Sequence, residues 1–375
     1  MSHQPYPELR LPADVQSRLV AGVNGLTMHL LEAGAPRADR PSVLLLHGFP
    51  ELAYSWRSMM PGLADAGFHV IAPDQRGYGR TTGWDGRYQA DLAPFDMLNL
   101  VRDVMGLRQV LGLGTIAVVG HDFGAPVAAW CGLLRPDVFV RVALMSAPFA
   151  GAPSIPDGTE AGRSHRAALT ADLARLPEPR RHYQDYYRTQ AAADDLYRAP
   201  QGVHAFLRAY YHYKSADWPG NRPHPLQALS AEQLALMPTY YVMAQGKGMA
   251  ETVAEHMPDA ETIRTNRWLP DDALAVYSAE YERTGFQGGL NWYRAAAARS
   301  PLRELFSGRT LDQPTIFIAG DRDWGPYQLP GALDRMASAR VCTDFRGAHF
   351  VPGAGHWVQQ EQPEATLRLL LDFLS

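Results

Sequence analysis

Asp122 stands in the stretch Ala117-Val118-Val119-Gly120-His121-Asp122-Phe123-Gly124-Ala125-Pro126-Val127-Ala128. An apolar run ends at one glycine, and an alanine-rich run follows a second. This is the strand–turn–helix setting of a G-x-nucleophile-x-G elbow, with aspartate where serine usually stands. The elbow holds its central residue on a sharp turn and projects that side chain above the sheet. Gly120 and Gly124 remove side chains that would clash as strand and helix close. In isolation an aspartate here reads as a turn or helix-cap residue. Between a buried strand and a helix it reads as a nucleophile.

Two further stretches supply partners in the order such a triad follows, nucleophile, acid, base. Asp323 lies in Ala319-Gly320-Asp321-Arg322-Asp323-Trp324-Gly325, directly after an apolar run. That puts a carboxylate at the C-terminal end of a strand, where open parallel sheets build their sites. His356 lies on the glycine-rich loop Pro352-Gly353-Ala354-Gly355-His356-Trp357, before the last helix. Spacing alone leaves Asp321 and His349 as rivals for the two roles. His47-Gly48-Phe49-Pro50 follows another apolar run. Its backbone N–H at Phe49, with that of Phe123, is placed to form an oxyanion hole.

The elements that must carry these residues are legible from periodicity. Two alternating runs flank Asn24-Gly25, a hairpin signal. Continuous apolar runs at Ser42–Leu46, His69–Ala72, Ala117–Gly120, Arg141–Met145 and Thr315–Ala319 suit strands buried on both faces of a parallel sheet; Arg340–Thr343 is read as a further strand. Asp96 to Leu111 has apolar positions on one helix face and Gly112 as its stop. Strands alternating with helices predict an α/β fold with a mostly parallel, doubly wound sheet. From Phe149 to Arg299 no buried strand run occurs, and helix signals replace it: a capping box at Ser230 to Gln233, and a helix over Asp271 to Thr284 ended by Gly285. The division predicted is a core domain over 1–148 and 300–375 with a helical cap over 149–299. A final amphipathic helix spans roughly Glu361 to Leu374.

The 375 residues are 46% hydrophobic and 20% charged, which suits a large buried core. A formal charge of −4 gives no reason to expect nucleic acid as partner. The two cysteines, Cys131 and Cys342, cannot build a disulfide framework and fit a reducing compartment. The first fifteen residues hold no apolar signal-like run, and no stretch approaches a membrane span. A cytoplasmic protein is expected. His204, His212 and His224 have no consistent ligand spacing, so no metal is expected.

Together these motifs resemble the α/β-hydrolase fold family, and within it the epoxide hydrolases, over nearly the whole chain, without the extra N-terminal domain of some animal relatives. The likeness rests on His47-Gly48-Phe49-Pro50-Glu51 with Tyr54-Ser55-Trp56-Arg57, on Gly77-Tyr78-Gly79, on Gly120-His121-Asp122-Phe123-Gly124-Ala125, and on Gly285-Phe286-Gln287-Gly288-Gly289-Leu290-Asn291-Trp292-Tyr293-Arg294 in the insert. The resemblance implies Asp122 as nucleophile, Asp323 as relay acid and His356 as base. It implies Tyr293 as one ring-opening tyrosine and a second in Pro238-Thr239-Tyr240-Tyr241; matching backward from Gly248-Met249-Ala250-Glu251 selects Tyr240, with Tyr241 one residue away. It further implies substrate contacts from His47, Pro50, Trp292 and Trp357, and no cofactor.

The chemistry agrees. A serine attacking the saturated carbon of an epoxide would leave an ether, whereas a carboxylate leaves an ester that water can cleave. Tyrosine hydroxyls can hold and protonate the leaving oxygen. The expected reactants are a small apolar epoxide, aryl or alkyl, and water. Of the other aromatics in the insert, among them Tyr183, Tyr186, Tyr187, Tyr210, Tyr211, Tyr213 and Trp218, most are read as core or pocket wall. The alternatives are a haloalkane dehalogenase, disfavoured because Phe123 and Phe49 lack the N–H a halide needs, and a catalytically silent binding protein.

Overall fold

A computed structural model describes residues 8–155, 161–298 and 300–375. Residues 1–7 of the expected leader and Arg299, the last residue of the expected insert, lie outside the described residues. The chain opens with β1 (Gln16–Val23) and β2 (Leu26–Ala33), joined by Asn24 and Gly25 at positive φ of 47° and 82°. β3 (Ser42–Leu46), β4 (Val70–Pro73), β5 (Ile116–His121) and β6 (Phe139–Met145) follow. After the insert come β9 (Thr315–Gly320) and β10 (Phe345–Val351). These eight strands form one sheet in the order β1-β2-β4-β3-β5-β6-β9-β10. β1 and β2 pair antiparallel, as do β2 and β4, and every later neighbour is parallel.

The continuous apolar runs are explained by burial on both faces. Along β3, Val43 and Leu45 enter one core layer, with Trp56, Leu63 and Leu370. Leu44 and Leu46 enter the other, which continues into the insert. A one-residue slip would exchange the two faces. The helix Met97–Leu111 is capped at Asp96, whose side chain accepts the Leu98 N–H, and ends at Gly112 with φ 64°. The expected strand at Arg340–Thr343 is replaced: those residues hold only an isolated bridge, Leu311 with Cys342. The last strand begins at Phe345, and its alternating exposure marks a sheet edge, which a search for buried runs passes over.

Between β6 and β9 lies the insert, helical apart from a small antiparallel pair, β7 (Arg180–His182) and β8 (Val242–Ala244). Three-residue strands lie below what periodicity can detect. The Arg180-Arg181-His182 stretch is half-buried strand. The helices Gly202–Lys214, Asp271–Thr284 and Gln287–Ala297 reach the loops that follow β3 and β4, through the Tyr211 hydroxyl on the Pro50 carbonyl, the Tyr281 hydroxyl on the Glu51 carbonyl and Trp292. The last of these is seated by glycines: a Cβ on Gly288 would stand 2.0 Å from the Gly77 carbonyl oxygen, and a Cβ on Gly77 2.7 Å from that of Gly288. The Trp292 indole N–H also reaches the Arg76 carbonyl at 2.8 Å.

Candidate active site

Five strand ends converge on one point. Asp122 leaves β5 at φ 50°, a left-handed conformation that a non-glycine residue adopts only under constraint. The constraint is local crowding: a Cβ on Gly120 would stand 2.1 Å from the Gly124 carbonyl oxygen, and a Cβ on Gly124 2.2 Å from that of Leu46. Asp122 Oδ1 accepts the Phe49 N–H at 2.9 Å, from the turn after β3. Asp122 Oδ2 faces His356 Nε2 at 3.3 Å, and His356 Nδ1 faces Asp323 Oδ1 at 3.1 Å. Asp323, after β9, also accepts the Gly325 N–H at 2.7 Å and the Ser146 hydroxyl. Ser146 itself stands at φ 65° at the end of β6.

Asp321 and His349 are set aside by this geometry. Asp321 accepts the Gly353 N–H at the surface, and His349 lies on the edge strand beside Arg141 and Pro314.

The His356 loop is held from several sides. Its N–H donates to the Lys214 carbonyl at 3.0 Å. Its own carbonyl accepts from His121 Nε2 at 2.7 Å. Glu361 takes the N–H groups of Gly355 and Trp357 on either side, at 2.8 and 2.9 Å. His121 is in turn paired with Glu51 at 2.5 Å, both fully buried. Burial opposes both charges, yet each partner's field prevails: Glu51 is held below the usual carboxylate range and His121 above the usual imidazole value. Glu51 and His121 thus form a buried ion pair that ties the nucleophile turn to the base loop. The sequence reading quoted both as motif letters and gave them no task.

Burial likewise works against ionised Asp122 and Asp323. For Asp122 the hydrogen bond and charge of His356, then Lys214 and His121, outweigh it; for Asp323, His356 and Ser146 do so. Both carboxyls lie below their ordinary range.

The roof of the site is aromatic. The Tyr293 ring stands 5.0 Å from Phe123 and 5.6 Å from Phe49, directly above the Asp122 turn. The second ring-opening tyrosine expected from the sequence, Tyr240, is elsewhere. Its hydroxyl donates to Asn221 Oδ1 at 2.7 Å, and its ring packs on Tyr213 and Tyr241. Tyr241 carries a buried hydroxyl without a partner. The side chain that meets Tyr293 is Tyr183, directly after β7: the rings are 5.9 Å apart. Burial first, with the Asp122 charge contributing, pushes both phenols up, so both carry their protons. Tyr240 is raised by burial and by Asp323 instead. The structure thus brings Tyr183, and not Tyr240, beside Tyr293; the sequence reading places Tyr183 among tyrosines that are mostly core or pocket wall.

The four residues expected to touch substrate are buried, and the polar side chains among them are committed to the protein. His47 faces the Gly48 carbonyl through Nδ1 and accepts the Gln75 N–H through Nε2. The Pro50 carbonyl accepts the Tyr211 hydroxyl. The indole N–H groups of Trp292 and Trp357 donate to the carbonyls of Arg76 and Tyr211. Trp292 and Trp357 offer ring surface only, against Phe123 and His356 respectively.

The sequence profile described as alpha/beta hydrolase fold matches residues 41–363. The chain is 33% identical to epoxide hydrolase B of Mycobacterium tuberculosis, across 96% of this chain and 98% of the relative. The chain belongs to the α/β-hydrolase fold family, among the epoxide hydrolases. It is 34% identical to epoxide hydrolase A of the same organism, over 94% of this chain and 95% of that one. Among solved structures it is similar to potato (Solanum tuberosum) epoxide hydrolase I, with a TM-score of 0.73 and 30% identity over 96% of this chain and 99% of that one. It is equally similar to an epoxide hydrolase from an endophytic Streptomyces, with a TM-score of 0.74, 30% identity, and 97% and 96% of the two chains covered. Three of the motifs noted in the sequence, those of Phe49, Asp122 and Tyr293, meet at this site. Among the described residues, no helix is long and apolar enough to cross a membrane.

Proposed function

We propose that this chain opens an apolar aryl or alkyl epoxide to a vicinal diol. The observation that carries the reading is the placing of the Asp122 carboxylate, with one oxygen on the Phe49 N–H and the other facing His356, beneath Tyr293 and the neighbouring Tyr183 ring. Asp122 attacks an epoxide carbon, the carbon–oxygen bond breaks, and the alkoxide takes a proton from a tyrosine. The product of this half is an ester on Asp122. His356, oriented by Asp323, then removes a proton from water as it adds to the ester carbonyl. The oxyanion is met by the N–H groups of Phe49 and Phe123, a donor of this kind being worth about 3 kcal/mol. Collapse releases the diol, whose leaving oxygen takes the proton from His356, and the proton left on the Asp122 carboxyl passes through solvent to the tyrosinate, restoring both groups.

In this reading residues 1–148 and 300–375 form the domain that hydrolyses the ester, and 149–299 the cap that opens the ring. Dehalogenation is disfavoured because the indole N–H groups of Trp292 and Trp357, which could bind a halide, are already bound to carbonyls. Two free, buried cysteines are in keeping with a cytoplasmic setting.

The test is one panel: styrene oxide, a diaryl epoxide and a bromoalkane, on wild type and Asp122→Ala. Diol from the epoxides, lost in the variant, is expected. Halide release without diol would overturn the reading.

A further inference from the structure

The helix Gly202–Lys214 ends in a lysine that the reaction above does not use. Its backbone is tied to the catalytic base: the Lys214 carbonyl accepts the His356 N–H at 3.0 Å. The residues that follow are fixed as well. The Ala216 N–H donates to Glu361 Oε2 at 2.8 Å, the same oxygen that holds Gly355. Asn221 donates to the carbonyls of Tyr213 and Ser215 at 2.9 and 2.7 Å. Lys214 therefore starts beside His356 and has little freedom to leave.

Its side chain is buried, the residue being 3% exposed. The ammonium rests among four rings, 4.9 Å from the centre of Tyr241, 5.2 Å from Trp357, 5.3 Å from Tyr210 and 5.8 Å from Tyr240. No hydrogen bond or ion pair to a protein oxygen reaches it among the described residues. Ring faces attract a cation, but they leave its N–H groups without oxygen acceptors, and buried donors rarely go unmet. The nearest of these rings, Tyr241, also carries a buried hydroxyl without a partner among the described residues. The Lys214 ammonium, ringed by four aromatic side chains next to the base loop, is a donor for which the described residues supply no oxygen.

The charges nearby say what kind of oxygen. The carboxylates facing Lys214 are Asp122, Asp323 and Glu51. Glu51 is matched by His121, which leaves two negative charges against one lysine. An anionic ligand would add to the sign already in excess, and a cationic one would be repelled at the cage. A neutral oxygen satisfies the donors without adding charge. We propose that Lys214 binds a neutral acceptor oxygen, an ether, carbonyl or hydroxyl, that the epoxide substrate carries a few bonds from its ring. This rests on the epoxide hydrolase reading and narrows its substrate class to oxygen-bearing epoxides.

The test compares two substrates of matched shape, benzyl glycidyl ether and 1,2-epoxy-5-phenylpentane, in which a methylene replaces the ether oxygen. The readout is the ratio of their kcat/KM values, which cancels any loss common to both. The ratio is expected to fall about tenfold or more from wild type to Lys214→Met, the range for a hydrogen bond to a charged donor, and to be retained in Lys214→Arg. An unchanged ratio in Lys214→Met overturns the proposal. Should Lys214→Met fail to fold, inhibition of wild type by the two product diols decides: the ether diol is expected to bind about tenfold more tightly, and equal inhibition overturns the proposal. Styrene oxide is run alongside. If wild type releases diol from none of the three, the epoxide reading itself fails. If it opens styrene oxide but does not lose its ether preference on substitution, only the subsite fails.

Discussion

Exchanging Tyr183 and Tyr240 for phenylalanine, one at a time, separates the tyrosine pair inferred from geometry from the one inferred by matching sequence. In Tyr183→Phe, one of two donors to the leaving oxygen is gone while Tyr293 remains. A hydrogen bond to a charged group contributes about 1.5–3 kcal/mol, and each 1.36 kcal/mol is tenfold in rate. The ring-opening step should therefore slow about 10- to 150-fold. Removing both hydroxyls deletes the acid altogether and should cost roughly 10²–10⁴-fold. In Tyr240→Phe the lost bond is the one to Asn221. Its loss leaves a buried amide oxygen unpaired, a destabilisation of about 1–3 kcal/mol, with ring opening slowed less than about threefold. The assay is single-turnover mixing of excess enzyme with styrene oxide, acid quench, and quantification of the Asp122 peptide adduct by mass spectrometry; thermal unfolding of each variant reports stability. The reasoning is refuted if Tyr240→Phe slows adduct formation as much as Tyr183→Phe does, or if Tyr183→Phe lowers only the melting temperature.

His356→Gln should form the Asp122 ester but not release it, so intact-mass measurement should find the protein heavier by one substrate; a variant that shows no adduct while ring opening proceeds would count against the covalent route. Because Asp122 and Asp323 titrate below their unfolded-chain value of 3.8, their ionised forms stabilise the fold fully above that pH, and the contribution is lost as pH falls through the folded values. Acid unfolding should therefore steepen below about pH 4, and Asp122→Asn should flatten that limb; an unchanged acid profile would refute the assignment. For the same reason the single-turnover rate of adduct formation in the wild type should persist unreduced from about pH 7 to about pH 5, and a falling rate would show that Asp122 is being protonated. Gly120→Ala would drive its methyl into the Gly124 carbonyl, so it should destabilise the fold by several kcal/mol or prevent folding; a well-folded, fully active variant would refute the close strand–helix contact.

The triad was legible because each member follows or precedes an element the sequence announces. Asp122 and Asp323 end buried strands, and His356 precedes the last helix. Spacing did not separate Asp323 from Asp321, or His356 from His349; the family resemblance chose between them, and the fold gives the physical reason, since only tertiary position separates neighbours two to seven residues apart. Tyr293 was legible through the glycines of its motif, whose purpose the contact of Gly288 with Gly77 explains. Tyr183 was not. It lies among Tyr186, Tyr187, Tyr210, Tyr211 and Tyr213, all buried and all alike in local sequence. What distinguishes it is where its hydroxyl ends up, and that is decided by a three-residue strand pairing with residues some sixty positions later. The edge strand at Phe345 escaped for a related reason, being too exposed to read as a buried run.

The glycine contact between Gly77 and Gly288 has a bearing on how such a chain can diverge. It fixes the height of the Tyr293 helix above Asp122 by backbone alone, with no side chain interposed. Substitutions elsewhere in the insert can therefore reshape the chamber walls while leaving the spacing between acid and nucleophile unaltered. In evolutionary terms the seam decouples two traits. The ability to open a ring is inherited with two glycines, and the choice of which ring to open is left free to drift.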